Sequence, residues 1–390
     1  MFRPSLVAFA AVALLAPTLS TAQALERTVS GVSSTGVQWQ AQSMLVGVTS
    51  TATIAVGGDA IYQPSYPAAG GVVALISTFT NGSYICSGTL MNDRQSILTA
   101  AHCVTGAGGT PISSTAWFYG GPNGDTVVPN SGSATAVAAS QYFVHPSYTG
   151  SVIDQNDVAV IRLAAAAPAF APSFGLYTQD LTGKDFNVWG YGVRSDTGGN
   201  VGGNLGTGRL RQGDNRYDFR LGDAVFGTGW ATELVEPFAR IEHSWLSDFD
   251  NGLAANDASC KTVGLVFGFA ANPKWCDLGR GAREVGVAGG DSGGPGFIDG
   301  LVASVNSYGL TYGTLAYGDI GPNPCDDDPS TTAIPSCLNS SFGEFTGYVP
   351  VYLHAGFINA ALVPEPGTYL IMALGLVGVG AMARRRRQAA

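Results

Sequence analysis

The sequence predicts an all-β fold, a sandwich or a pair of barrels with one short C-terminal helix, on three observations. Short runs rich in β-branched and aromatic residues, "GGVVALISTF", "DVAVIRL", "FNVWGYGV" and "GLVASVNSYG", alternate with clusters of Gly, Asn, Asp and Pro, the pattern of strands between turns. No fixed-period repeat runs through the chain, and few long segments keep a helical period. The exception lies near the end, where Val351, Phe357, Ile358 and Leu362 of "VPVYLHAGFINAAL" suit one helix face.

The two ends frame this β-rich body. Arg3 precedes the apolar stretch "LVAFAAVALLA", and Ala22-Gln23-Ala24 offers small residues at the −3 and −1 positions of a cleavage site. Residues 1–24 therefore read as a secretory signal peptide, which lies outside the fold. At the other end, Pro364 and Pro366 bar a helix from running in from upstream. Thr368 to Ala383 is apolar or small throughout, and Arg384 to Arg387 follow. At ~1.5 Å per residue such a helix is near the lower limit for spanning a bilayer. The arginines favour the cytoplasmic side, which leaves the body of the protein outside.

Pro364-Glu365-Pro366, an apolar helix and a basic end together resemble the PEP-CTERM sorting signal of Gram-negative bacteria, here residues 363–390. The resemblance implies transient inner-membrane anchoring, processing by an exosortase-type enzyme, and delivery to the cell envelope or beyond. A plain C-terminal anchor is the alternative.

Export governs how charge and cysteines are read. The formal net charge is −9, and Arg3 and the four terminal arginines leave with the two signals. The processed surface is thus strongly acidic, which repels nucleic acid and gives no attraction to a membrane. Six cysteines in an exported chain point to disulfides. More than 300 residues lie between the signals, enough for one large domain or two small ones.

Within that body, "AGGDSGGPG" holds Ser292 between glycines. Glycine alone decides nothing, because the chain has 54 of them in 390 residues, about twice the usual share of ~7%. A working nucleophile also needs a base, a group that orients the base, and donors for an oxyanion. "SILTAAHC" supplies His102, and "NDVAVIRL" places Asp157 at the mouth of an alternating strand.

These motifs, in the order His, Asp, Ser, resemble those of chymotrypsin/trypsin-like serine proteases of peptidase family S1. "VGGDA" from Val56, "HPSY" from His145, "VWGYG" around Trp189 and "NSYG" from Asn306 add to the likeness. The resemblance covers roughly 54–362 and leaves 25–53 as a pro-segment or linker. It implies two packed six-stranded antiparallel β-barrels with the site between them, and a secreted or cell-surface endopeptidase acting on protein or peptide substrates without a cofactor. His102 would be the base, Asp157 its orienting group and Ser292 the nucleophile, with the N–H groups of Gly290 and Ser292 as oxyanion donors. Gly286, six positions before the serine, would floor the specificity pocket, and Ser307, Tyr308 and Gly309 would form its wall and the edge that pairs with extended substrate. With no carboxylate at Gly286, cleavage after apolar or aromatic residues is expected; Glu284 is the nearest acid. Disulfides Cys86–Cys103 and Cys260–Cys276 are implied, leaving Cys325 and Cys337 to pair.

Other candidates are weaker. His145 precedes a proline in a loop, and His243 and His354 lack a neighbouring ligand pattern, so no metal site is expected. "DFDNGLAANDASC", 248–260, does not match an EF-hand loop and suits a solvated or capping role. Three departures from the family stand out. An insertion, read as ordered, falls roughly within 195–259. Ala288 replaces a family cysteine. No basic residue precedes Ile54, Ala55 or Val56, the candidate activated N-terminus, whose insertion beside Asp291 would order the oxyanion loop in family zymogens. A catalytically idle, protease-like envelope binding or matrix protein is the alternative function.

Overall fold

The computed structural model describes residues 23–24, 29–34, 36–42, 45–47, 60–106, 109–121, 134–234, 240–313 and 338–362. The N-terminal part gives four short strands: β1 (Gln23–Ala24), β2 (Val29–Val32), β3 (Gln38–Gln42) and β4 (Leu45–Gly47). The first large unit follows, with β5 (Val72–Phe79), β6 (Gly82–Leu90), β7 (Ser96–Thr99), α1 (His102–Thr105), β8 (Ser113–Tyr119), β9 (Ala134–Val144) and β10 (Ala159–Leu163). Strands β5 to β10 close on themselves. β6 pairs with β5 and β7, β7 with β10, β10 with β9, β9 with β8, and β8 with β5.

Closure removes free edges, and the branched side chains fill the interior. Val72, Leu75, Ile85, Leu90, Ile97, Phe118, Val160 and Leu163 are all buried there. β10 shows how its sequence does this. Ala159, Val160 and Ile161 are buried on both faces, while Arg162 runs outward to Gln141 and to the carbonyl of Ala361.

The second unit holds β11 (Asp185–Gly190), β12 (Arg211–Arg216), β13 (Phe219–Arg220), α2 (Gly229–Glu233), β14 (Trp245–Asp248), α3 (Ala258–Phe267), β15 (Val285–Val287), β16 (Pro295–Ile298), β17 (Leu301–Tyr312), β18 (Phe345–Pro350) and α4 (Val351–Ala361). Its main sheet runs β12-β11-β16-β17-β18-β14-β13, and β3 and β2 are added beside β17. The expected barrel pair thus takes the form of one closed six-stranded barrel and one curled half-barrel.

The aromatic residues of the insertion explain its order. Phe219, Phe226 and Trp230 are buried together with Trp39, Tyr308 and Tyr312. Each such ring contributes on the order of 2–3 kcal/mol by leaving water. A second cluster stacks Phe186 on Tyr217, ring centres 3.9 Å apart, against Trp245 and Tyr348.

Helix α3 starts where Asp257 Oδ1 accepts the N–H of Cys260 at 2.8 Å, and ends at Gly268 with φ +70°. That is the expected capping role for Asp257. Asp248 and Asp250, expected to be solvated or capping, are buried rather than solvated, and Asp248 Oδ2 caps α3 by accepting the N–H of Ser259 at 2.9 Å. Helix α4 begins after Pro350 and buries Val351, His354, Ile358 and Ala361. The buried stripe therefore includes His354, whose Nε2 lies 2.8 Å from the carbonyl of Gln155, while Phe357 and Leu362 are only half-buried.

Both implied disulfides with described cysteines are present, Cys86–Cys103 and Cys260–Cys276. Cys325 and Cys337, the apolar tail, Ile54 to Val56, and the signal peptide ahead of Gln23 lie outside the described residues.

Candidate active site

His102 opens the short helix α1 at the end of β7, fixed by the Cys86–Cys103 bridge next door. Asp157 stands in the turn that leads into β10, the strand hydrogen-bonded to β7. That pairing brings the two together. His102 Nδ1 lies 2.7 Å from Asp157 Oδ2, and the backbone N–H of His102 donates to Asp157 Oδ1 at 2.8 Å. A third donor comes from the other unit, where the Ser307 hydroxyl reaches Asp157 Oδ2 at 2.6 Å.

Asp157 is 1% exposed. Burial alone would push its carboxyl up. The His102 charge and the hydrogen bonds from His102 and Ser307 outweigh that and hold it below the ordinary carboxylate range. Nδ1 of His102 is thereby committed to the carboxylate. Nε2, on the far side of the ring, is buried and has no hydrogen-bond partner among the described residues.

Ser292 sits in the loop between β15 and β16, in the second unit, and is held against the first. Its carbonyl accepts the N–H of Ser87 at 2.7 Å and lies 3.6 Å from Cys103 Sγ. The Ser87 hydroxyl donates to the carbonyl of Gly290 at 2.9 Å and accepts the N–H of Tyr191 at 2.9 Å. One serine of β6 thus ties the nucleophile's loop to the barrel that carries His102 and Asp157.

Two glycines are required by this loop. Gly290 has φ +102° and Gly293 φ +81°, backbone angles that side chains disfavour. A Cβ on Gly293 would also collide with Thr99 Oγ1 and the Ser87 carbonyl. The N–H groups of Gly290 and Ser292 donate to no other group among the described residues.

Asp291, between them, is 1% exposed and fills a niche that exists because Gly190 and Gly192 have no side chains. Its Oδ1 accepts the N–H of Gly192 at 2.8 Å and its Oδ2 that of Ala288 at 3.1 Å. Burial pushes this carboxyl well up, against the Gly192 hydrogen bond.

The expected pocket residues line up on β15 and β17. Gly286 is buried in β15, and a Cβ placed there would meet the Phe249 side chain at 3.0–3.3 Å. Glu284 has both oxygens engaged, Oε1 by the N–H of Asp250 and Oε2 by that of Arg280, each at 2.8 Å. Ser307, Tyr308 and Gly309 lie on β17. The Tyr308 ring turns into the core and its hydroxyl meets Ser244 Oγ at 2.6 Å, so only its backbone is left to line a pocket.

Two features escaped the sequence reading. Sequence assigns Ser307 to the pocket wall only, and its hydroxyl also joins the His102–Asp157 pair. The strand β3 also went unread, although "QWQAQ" alternates strictly, with Trp39 and Ala41 buried and both in one core cluster.

Comparison with known proteins bears on the fold and on the C-terminal signal. The trypsin family model matches residues 55–320, more than half of the chain, and the PEP-CTERM protein-sorting motif matches 362–387. Brachyurin from Leptuca pugilator is 27% identical over 240 residues, covering 62% of this chain and 78% of its own. Alkaline trypsin B from Manduca sexta is 25% identical over 280 residues, covering 65% and 80%.

Proposed function

This chain belongs to the trypsin family, and on that footing we propose that it is an exported serine endopeptidase with Ser292 as nucleophile. The sorting motif indicates export to the cell envelope of a Gram-negative bacterium. The observation that carries the reading is the buried Asp157 carboxylate, which takes three donors, two from His102 and one from Ser307.

The chemistry follows from those contacts. Asp157 fixes the proton on Nδ1 of His102, so Nε2 presents a lone pair. As Ser292 Oγ attacks a peptide carbonyl, Nε2 takes its proton, and the carbonyl oxygen becomes an oxyanion. The N–H groups of Gly290 and Ser292 donate to that oxygen. Collapse of the intermediate expels the amine, which receives the proton from Nε2, and leaves an acyl-enzyme on Ser292. Water then repeats the sequence and frees the acid. Asp157, charged throughout, stabilises the imidazolium between the two transfers.

An active-site-directed fluorophosphonate tests this. The unaltered chain should be labelled on Ser292 and hydrolyse peptides. Ser292→Ala should lose both with its fold retained, and His102→Ala should lose several orders of magnitude in rate. Near-normal turnover by the serine variant would overturn the assignment. An unaltered chain that neither labels nor hydrolyses would instead favour the idle envelope protein.

A further inference from the structure

We infer that the N-terminal hairpin β2–β3 permanently fills part of the substrate edge, so that peptide recognition ends at the second residue before the cut. The inference rests on the active-site assignment above. The relevant edge of β17 can be followed residue by residue. At Asn306 it touches the loop of Ser292, where Gly293 N–H donates to the Asn306 carbonyl at 2.8 Å and Asn306 N–H to the Gly294 carbonyl at 2.9 Å. The opposite edge, from Ser304 to Leu310, is taken by β18. The register on that side shifts between Asn306 and Tyr308, and beyond the shift the free edge runs from Ser307 toward Tyr312.

A substrate laid along this edge would bring its residue before the cut near Ser307 and its third residue opposite Gly309. That second place is already occupied. β3 pairs antiparallel with β17 in the register Gly309–Gln42, Leu310–Ala41, Thr311–Gln40 and Tyr312–Trp39. Gly313 N–H donates to the Gln38 carbonyl at 2.8 Å. Antiparallel ladders alternate, so Thr311 and Gly309 also turn their polar groups to β3, toward Gln40 and Gln42. The backbone of Gly309 is thus spent on this chain's own Gln42.

The hairpin is built in rather than laid on. Trp39 is fully buried in one core cluster with Leu310, Tyr312 and Trp230. Its ring lies so close to Gly31 that a Cβ there would stand 2.8 Å from it. Gln40 Oε1 accepts the N–H of Leu338 at 3.3 Å. Ser34 and Tyr312 both donate to the Glu233 carboxylate, at 2.5 and 2.8 Å. Residues 29–42 also precede the stretch that matches the trypsin family model, 55–320. They thus lie outside the matched family domain, and the contacts above anchor them to it. The substrates it fits are peptides held through no more than two residues ahead of the scissile bond.

The test is a peptide series with one to five residues before a fixed cleavage site and leaving group. In the unaltered exported chain, kcat/KM should rise with the second residue and change less than ~3-fold from the second to the fifth. Gln42 lies beyond the end of β2, which pairs only as far as Ala41, so Gln42→Pro removes an N–H that faces β17 alone. This variant should gain at least ~10-fold on four-residue substrates over two-residue ones. A comparable gain in the unaltered chain would overturn the inference. Amide hydrogen exchange decides the matter independently of catalysis. Gly309, Thr311 and Gly313 should exchange slowly in the unaltered chain, with or without a four-residue peptide boronate. Fast exchange that becomes slow on adding the boronate would show an open edge and refute the occupancy. If Ser292 takes up no fluorophosphonate, the protease reading fails, while exchange at these amides still reports whether β3 holds the edge.

Discussion

The hydroxyl of Ser307 donates to Asp157 Oδ2 at 2.6 Å, to the same oxygen that His102 Nδ1 meets at 2.7 Å. The two donors come from different units, β17 and α1, and share one buried acceptor. Ser307 is therefore a positioning residue for the proposed chemistry. Its hydrogen bond keeps the carboxylate charged and its plane fixed.

Ser307→Ala should lower kcat by ~10–150-fold, the scale of one hydrogen bond to a charged group. KM for short peptides should move much less. Losing a donor to the charged form lets the Asp157 carboxyl rise, so the acid limb of the rate profile should change shape. Ser307→Thr, which restores a hydroxyl, should recover part of the rate. An alanine variant with an unchanged kcat and pH profile would remove Ser307 from this role.

The specificity expected from Gly286 is now tied to contacts. The Phe249 ring backs this glycine, and the nearest acid, Glu284, is engaged by the amides of Asp250 and Arg280. An Arg or Lys side chain would lack a partner there, and an unpaired buried cation is costly. In a peptide library, kcat/KM for cleavage after Phe, Tyr or Leu should exceed that after Arg or Lys by ~100-fold or more. The reverse ranking would mean that Glu284 leaves those amides to face the pocket.

A group of buried acids sets a pH dependence. Asp218, Asp248, Asp250, Asp257 and Glu284 are all buried, and none forms an ion pair with a basic side chain among the described residues. Burial, and next to it the neighbouring carboxyls, push Asp218 up to about 8, Asp250 to about 6 and Asp257 to about 7. Asp248 and Glu284 rise for the same reason. Because the folded state keeps these groups protonated above the pH at which the unfolded chain releases its protons, their stabilisation is full below about pH 4. It is lost as pH climbs through 6 to 8.

The melting temperature should accordingly fall between pH 5 and 8.5. Asp218→Asn preserves an acceptor for the Asp248 N–H and the Ser259 hydroxyl while removing the charge. That variant should melt ~2–4 °C above the parent at pH 8.5 and show a flatter profile. Parallel profiles for the two proteins would exclude Asp218 as a source of the slope.

The residues legible in sequence are those whose chemistry is bound to a local backbone shape. "GGDSGGP" could be read because the turn at Ser292 demands glycine at Gly290 and Gly293, where φ is positive. "TAAHC" and "NDVAVIRL" could be read because each places its polar residue next to a strand of the closed barrel. The hairpin could not, although "QWQAQ" carried a strand period. Its partner on β17 lies some 270 residues downstream, and an edge that accepts a strand leaves no mark on the accepting sequence. The burial of Asp248 and Asp250 was hidden for a related reason. Their cover comes from Asp218, Ser259 and Glu284, brought together only by the folded insertion. On α4 the buried stripe also takes in His354, because the Gln155 carbonyl gives the imidazole a partner inside, while Phe357 and Leu362 pack half-buried against the core as expected.

Ser87 joins a strand of the first unit to the loop of Ser292 through its N–H and its hydroxyl, and to Tyr191 beside that loop. The atoms of the proposed chemistry are therefore split between two bodies, which meet at Ser87, at Ser307–Asp157 and Arg162–Ala361, and in a shared apolar core holding Val72 and Leu75 of one and Val302 and Val305 of the other. A slip of about 1 Å between them is enough to cost ~100-fold in rate, although neither interior would have opened. Heat, denaturant or a distant substitution can thus silence the molecule while its spectrum still looks native. For the proposed activity, the alignment of the halves would then matter as much as the strength of either, and the rate would fall before the melting transition.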